Sequence, residues 1–148
     1  MTMRAPFGIV VASLLISSAG TVTAETLDGK RIIIIDGDTV ALPCEHPAPG
    51  CAEKIRLTAI DAPESYRPNC ENELKAGLRA KERLAELLRA GPVDIVRSGK
   101  LDRYGRTLAD LKSTAGDVGT ILVREGLALP YRPGRAAKME RTAQWCNP

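Results

Sequence analysis

Carboxylates and arginines are concentrated in three short stretches of this 148-residue chain, residues 36–39, 56–64 and 102–106. Apolar runs rich in β-branched residues flank these stretches, so each lies where a predicted strand begins or ends. The ends of different strands can meet at one rim of a sheet, where a rigid scaffold holds charged groups in place. The three stretches together therefore predict one shared site.

The residue types in these stretches complement one another. Asp38 and Asp61 offer hard oxygen ligands to calcium or magnesium, and water, a backbone carbonyl or a substrate oxygen would complete the shell. Arg56 and Arg106 suit a phosphodiester that becomes more negative on attack, because a guanidinium holds two oxygens at once. Glu64 remains as a base for water. The set favours hydrolysis of a phosphodiester.

Each stretch also has a plainer interpretation when it is taken alone. Residues 36–38 would be an ordinary hairpin turn, residues 61–64 a strand exit, and residues 102–106 a charged turn. Two other function classes also remain open: a nucleic-acid-binding module without catalysis, and a domain that binds an anionic polysaccharide and would not need Glu64. The co-occurrence of the three stretches favours the catalytic interpretation.

Five short strands with one helix inserted after the third describe the predicted fold. The strands are expected at residues 31–35, 39–42, 54–60, 93–96 and 107–111, and the helices at 70–90, 118–125 and 136–144. This order fits an α+β domain built on a five-stranded Greek-key barrel of the OB type, with about three helices. That fold serves nucleic acids and oligosaccharides alike, so it does not settle function.

Finer expectations follow from the same patterns. Residues 32–35 should be buried, Gly37 is free to take a positive φ in its turn, and Leu57, Ala59 and Ile60 should face the core. Leucines near one stripe should bury a face of the long helix, at positions 74, 78, 84, 87 and 88. Its charged residues should form a solvated face. Asp117 should cap the second helix, and Gly126 should end it.

The first 24 residues have the order of a secretory signal peptide. Arg4 precedes an apolar run at residues 8–16, and small residues lead to a cleavage point after Ala24. A permanent anchor is the less favoured alternative, because the run is short for a bilayer. We expect an exported chain, periplasmic or secreted, with one domain over residues 25–148 and no stable membrane association. Removing the peptide leaves 20 basic against 18 acidic side chains, a net charge of +2, which permits a polyanionic partner without requiring one.

Four cysteines in an exported chain predict two disulfides. Three pairings are possible, and position favours Cys44–Cys51, across a short loop, and Cys70–Cys146, from the first helix to the C-terminus. Free buried thiols are the alternative. No pair has the C-x-x-C spacing of a zinc site, and His46 is the only histidine in the chain.

Four motifs resemble the staphylococcal nuclease (thermonuclease) family: residues 35–40 (IDGDTV), 56–64 (RLTAIDAPE), 102–109 (DRYGRTLA) and 122–128 (LVREGLA). They occur in the family's order and at compatible spacing, from about residue 30 to residue 131. The resemblance implies an OB-fold nuclease that depends on calcium, acts on DNA and RNA, and breaks the 5′ P–O bond to leave 3′-phosphates. We expect a monomer that favours single-stranded substrates.

The resemblance also implies roles for individual residues. Asp38 and Asp61 would bind calcium with the backbone carbonyl of Ala62, and Asp36 would lie beside the metal without binding it. The catalytic residues would be Arg56, Arg106 and Glu64, with the arginines on the phosphate and Glu64 aligning water. Substrate contacts would come from Tyr104, Tyr131 and Arg103.

Several features depart from the family's prototype, among them Pro133, where a second tyrosine is expected, and the four cysteines, which are additional. Ala62 replaces a threonine, which leaves the main-chain ligand unchanged. The loop after Glu64 is short and has Arg67 as its one basic residue, so the lysine-rich substrate loop of the prototype is absent.

Overall fold

The computed structural model of the chain describes residues 24–45 and 48–147. The predicted signal peptide, apart from its last residue, and His46 lie outside the described residues. Within the described part, no helix is long and apolar enough to cross a bilayer.

The described residues form nine strands, three α-helices and one 3₁₀ turn at Gly29–Arg31. The strands are β1 Ala24–Asp28, β2 Ile33–Asp36, β3 Thr39–Leu42, β4 Glu53–Leu57, β5 Ile60–Asp61, β6 Pro92–Leu101, β7 Thr107–Ser113, β8 Gly116–Asp117 and β9 Leu129–Pro130. The helices are α1 Glu71–Arg89, α2 Val118–Arg124 and α3 Arg135–Cys146.

Six strands form one curled sheet in the order β1-β6-β7-β4-β3-β2, with β8 paired to β7 and a separate β5-β9 pair. All pairings are antiparallel except β4 with β7, which is parallel. This curled sheet with three helices confirms the predicted α+β fold of the OB type. The count of five strands was wrong, because β1 was not predicted and β8 and β9 have two residues each, too few to give a pattern.

The predicted strand at residues 54–60 is two strands, because the chain breaks at Ala59. Ala59 has φ 58°, a left-handed conformation that ends regular β pairing, and its side chain is exposed instead of facing the core. Its carbonyl accepts a hydrogen bond from Tyr131 N at 2.8 Å. The break turns the chain away from β7, so that β5 pairs with β9 and Asp61 leaves the main sheet.

Burial along β2 alternates instead of being continuous. Ile32 is buried, whereas Ile33 and Ile35 are 53% and 38% exposed. The prediction failed because β2 is an edge strand with one face on the core and the other open. Leu78 of α1, also predicted to be buried, is 51% exposed and lines a groove with Ile33 between β2 and α1.

The core lies between the sheet and the helices α1 and α2. Gly37 does not take the positive φ that is open to a glycine in this turn. It is needed for close packing instead, since a Cβ there would lie 2.8 Å from the Cβ atoms of both Ala62 and Ala80. The turn that carries Asp36 and Asp38 can therefore lie directly against α1.

Several local predictions are confirmed. Asp117 Oδ1 caps α2 by accepting from Thr120 N at 2.7 Å, and Gly126 follows the helix with φ 72°. Both favoured disulfides, Cys44–Cys51 and Cys70–Cys146, are present, and the described residues contain no free cysteine.

The packing of α1 predicts unequal costs for two leucine truncations. Leu84→Ala removes a side chain with no exposed area and should lower the free energy of unfolding by about 2 to 5 kcal/mol. Leu78→Ala, on the open side of the same helix, should cost less than about 1 kcal/mol. Urea unfolding of both variants measures the difference, and equal losses would contradict this assignment of the helix faces.

Candidate active site

Strand pairing brings the first two polar stretches together. Thr39 of β3 lies opposite Arg56 of β4, and Leu57 N donates to Asp38 O at 2.9 Å. Arg56 Nη1 donates to the carbonyl oxygens of Leu57 and Ile60 at 2.9 and 3.0 Å. These carbonyls flank the break at Ala59, so the arginine satisfies backbone groups where the strand ends.

The other end of the same guanidinium joins two carboxylates. Arg56 Nη2 lies 3.0 Å from Asp38 Oδ2 and 2.7 Å from Asp61 Oδ1. Burial raises the pKa of Asp38, although the charge of Arg56 and the hydrogen bond from Ala62 N oppose that effect. The two carboxylates from separate turns therefore converge on one positive centre.

These donors fit a hard divalent cation. Oxygens of Asp38 and Asp61 both lie within 3.0 Å of Arg56 Nη2. Ala62, the residue after Asp61, donates from its N–H to Asp38 Oδ2 at 2.8 Å, which places its backbone beside both carboxylates. Calcium and magnesium prefer such oxygen ligands. The residues that would hold the ion are Asp38 and Asp61, with the carbonyl of Ala62.

The carboxylates of Glu64, which follows Pro63, and of Asp36 lie next to each other. Glu64 Oε1 accepts from Tyr66 N at 2.8 Å, and Asp36 Oδ1 accepts from Ser65 Oγ at 2.7 Å. Burial raises the pKa of Asp36 to about 6, and the nearby Glu64 carboxylate adds to the rise. Burial also acts to raise the pKa of Glu64, but hydrogen bonds from Tyr66 N and Asp36 outweigh it, so the pKa is lowered. Glu64 is thus the member of the pair that loses its proton at the lower pH.

Arg106 joins the same network through β3. Its Nη1 donates to Thr39 Oγ1 at 3.2 Å, and Thr39 Oγ1 donates to Asp38 Oδ1 at 2.9 Å. Asp102 holds the other edge of the guanidinium, accepting from Nε at 2.7 Å and from the backbone N–H of Arg106 at 3.0 Å. The Arg106 side chain is 25% exposed, so it can reach a bound molecule. Residues 102–106 therefore hold the positively charged guanidinium of Arg106 in a fixed orientation at the site.

Three exposed tyrosines are each accompanied by an arginine. Tyr104 is 68% exposed, with the guanidinium carbons of Arg103 and Arg106 at 4.7 and 5.4 Å from its ring centre. Tyr131 is 52% exposed and lies beneath an arginine of α3 at 5.7 Å. The third, Tyr66, was not singled out from the sequence; it follows Glu64 by two residues, is 81% exposed and contacts Arg67 at 5.5 Å.

Two charged residues of the site region were missed by the sequence interpretation. Arg141 of α3 is buried and donates from Nε to Asp61 Oδ2 at 2.5 Å. Glu73, in the first turn of α1, is 2% exposed. Arg141 and Asp61 are 80 positions apart in the sequence, so no local pattern of residues indicates their contact. The predicted Cys70–Cys146 bridge was the one signal that could have placed α3 near the site.

Glu73 supports the loop that carries Glu64. Its Oε2 accepts from Asn69 N at 2.6 Å and Asn69 Nδ2 at 2.8 Å, and its Oε1 accepts from Glu64 N at 3.4 Å. Glu73 also lies near Cys70 and Cys146, but these sulfurs are joined in the disulfide and are not thiolate ligands for a metal.

Comparisons with known proteins agree with the motifs. The family model described as "Staphylococcal nuclease homologue" matches residues 54–146. The thermonuclease of Staphylococcus hyicus is 32% identical over 119 residues, which cover 78% of this chain and 68% of that protein.

Two further relatives are endonucleases by name. Endonuclease YhcR of Bacillus subtilis is 35% identical over 105 residues, covering 66% of this chain and 8% of that protein. An uncharacterized endonuclease of Haemophilus influenzae is 29% identical over 125 residues, covering 84% of this chain and 64% of that protein. The chain thus spans less than two thirds of the length of either relative.

The buried position of Glu73 yields a prediction about the loop. Glu73→Ala leaves three donors without their acceptor and should lower the free energy of unfolding by about 1 to 3 kcal/mol. It should also speed hydrogen exchange at the amides of Glu64 and Asn69. Glu71→Ala, two residues earlier and exposed, is the matched control and should leave both quantities nearly unchanged. Equal effects of the two substitutions would contradict the supporting role.

Proposed function

Because this chain belongs to the staphylococcal nuclease homologue family, we propose that it is a calcium-dependent nuclease that hydrolyses phosphodiester bonds in DNA and RNA. The observation that carries the proposal is the convergence of Asp38 and Asp61 on Arg56, with Arg106 linked to them through Thr39. Two hard carboxylates beside two arginines complement a metal-bound phosphodiester.

Each group has a role in this proposal. Asp38, Asp61 and the carbonyl of Ala62 would hold a divalent cation, which would supply positive charge to polarise the phosphodiester and its neighbouring water. Arg106, partly exposed and oriented by Asp102, contacts the phosphate oxygens and stabilises charge that develops on them. Arg56 is more enclosed and acts beside the carboxylates. Glu64, with its lowered pKa, is ionised at neutral pH and orients water.

In this proposal, the choice of the bond that breaks comes from the resemblance to the family. A water oxygen forms a bond to phosphorus while Glu64 accepts one of its protons. The bond between phosphorus and the 5′ oxygen breaks, and that oxygen leaves with the bonding pair and takes up a proton. The products are a 3′-phosphate and a free 5′ hydroxyl.

The tyrosines support a preference for single strands. Tyr66, Tyr104 and Tyr131 expose much of their rings, and an aromatic ring stacks on any unpaired base. Arg67 and Arg103 lie beside two of these rings and offer positive charge to the phosphate backbone of a nucleic acid. Bases in a duplex are already stacked, so this surface favours single-stranded substrate.

Export and a monomeric state complete the proposal. The signal-like order of residues 1–24 and the two disulfides support a periplasmic or secreted protein. All the proposed site residues come from one chain, so a monomer has a complete site.

Calcium dependence and the role of Glu64 can be tested together. The oxidised chain should degrade single-stranded DNA and RNA with calcium and lose that activity with a chelator. Glu64→Gln should lower kcat by roughly 10²- to 10⁴-fold and Arg106→Ala by roughly 10²- to 10³-fold, because each removes a group needed in the transition state. Glu71→Gln, exposed on α1, is the matched control and should keep full activity.

Two results would contradict the proposal. One is no cleavage by the folded, oxidised chain at any calcium concentration. The other is calcium-dependent binding of a nucleoside bisphosphate without cleavage of polymer, which would indicate a binding module.

Stacking by Tyr66 predicts a change in KM. Tyr66→Ala should raise KM for single-stranded DNA roughly fivefold or more, with little change in kcat, since a stacked base is lost. Tyr66→Phe retains the ring and should stay within about twofold of the unaltered chain. The contact of Glu64 is with the backbone N–H of residue 66, so neither substitution removes it. An unchanged KM for Tyr66→Ala would exclude stacking at this position.

A further inference from the structure

Arg141 is the one basic residue that is buried among those the structure describes. It is 4% exposed, and it lies on α3, the helix with the least burial. No other residue of α3 is buried, and Met139, its largest aliphatic side chain, is 62% exposed. A buried arginine requires a specific partner, because removing a guanidinium from water is unfavourable without one.

The partner is one of the two carboxylates assigned to the metal. Arg141 Nε donates to Asp61 Oδ2 at 2.5 Å, and Arg56 Nη2 holds the other oxygen, Oδ1, at 2.7 Å. Arg141 Nη1 donates to Arg132 O at 2.9 Å, and its guanidinium lies over the ring of Tyr131. Both oxygens of Asp61 are thus held, which fixes the rotation of the carboxylate.

A covalent bond helps to attach α3 to the domain. Apart from Arg141 no residue of the helix is fully buried, and Ala137 and Trp145 are half-buried, so α3 has less hydrophobic packing than α1. The Cys70–Cys146 disulfide joins its last residue to the N-cap of α1, across 76 positions of sequence. Asn72 Nδ2 also donates to Cys146 O at 3.3 Å. The disulfide therefore anchors one end of α3, and Arg141 lies five residues before it.

We propose that Arg141 is a positioning residue for Asp61, and that the Cys70–Cys146 disulfide keeps it in place. Arg141 acts through the carboxylate and does not contact the phosphodiester. This inference rests on the proposed function only in taking Asp61 as a calcium ligand. It assigns to α3 a role in metal affinity, so the integrity of a remote disulfide determines how well the site binds calcium.

Isothermal titration of the oxidised chain with calcium, without nucleic acid, tests the inference. Arg141→Met keeps the length and apolar stem but loses both donors. It should raise the Kd for calcium on the order of tenfold, as is typical when the partner of a metal ligand is lost. The kcat should fall, while KM for single-stranded DNA at saturating calcium stays within about twofold. Arg141→Lys retains the charge and should recover part of the affinity, which loss of helix packing alone would not explain.

Matched controls separate positioning from general effects. Arg135→Met, an exposed arginine on the same helix, should leave the Kd for calcium unchanged. The double substitution of Cys70→Ser and Cys146→Ser should reproduce the loss in calcium affinity, because it removes the bridge that anchors α3. Serine at position 70 can still cap α1, so the start of that helix is kept. The pair Cys44→Ser and Cys51→Ser removes the other disulfide and should not reproduce that loss. In the chain without Cys70–Cys146, adding Arg141→Met should have little further effect.

The outcomes distinguish this inference from the proposed function. Unaltered or tighter calcium binding by Arg141→Met, folded by circular dichroism, would overturn the inference while leaving the nuclease proposal standing. Tighter binding would show that the arginine competes with the ion. If the unaltered chain binds no calcium, the proposed function and the inference both fail.

Discussion

The organisation of the site depends on one buried ion-pair arrangement, in which a single nitrogen of Arg56 lies within 3.0 Å of Asp38 and Asp61. All three side chains are less than a quarter exposed, so each charge needs the others. Removing one partner from such a group costs about 3 to 5 kcal/mol, because the remaining charge is left buried. The same guanidinium also binds the carbonyls of Leu57 and Ile60, so the electrostatics and the strand break are coupled.

Hydrogen bonds around this ion-pair arrangement fix the orientation of the side chains that are proposed to act on the substrate. Thr39 connects Asp38 to Arg106, and Asp102 holds Arg106 from the opposite side, so the proposed phosphate contact is oriented by protein acceptors. Glu73 supports the loop of Glu64 in the same way from within α1. Preorganised charges of this kind stabilise a transition state without reorganising during the reaction. Stability and the candidate chemistry therefore depend on the same hydrogen bonds.

The C-terminal helix α3 contributes a contact to the site although few of its residues are buried. The helix α3 buries one residue, yet that residue contacts Asp61, and a disulfide anchors the helix. A bridge that closes so long a loop contributes about 4 kcal/mol in the chain-entropy model. A covalent bond can thus help to hold in place a helix of which only one residue is fully buried.

The sequence by itself determined the features that depend on neighbours in the chain. The hairpin around residues 36–39, the cap of α2 at Asp117 and the polar stretches at strand ends all have local signals. Tertiary structure decided the rest. Ala59 adopts a positive φ within a run that alternates like a strand, and its carbonyl binds Tyr131 N. Glu73 is buried and Arg141 reaches Asp61 because the fold brings distant segments together. Such contacts depend on long-range packing, which no local pattern of residue types encodes.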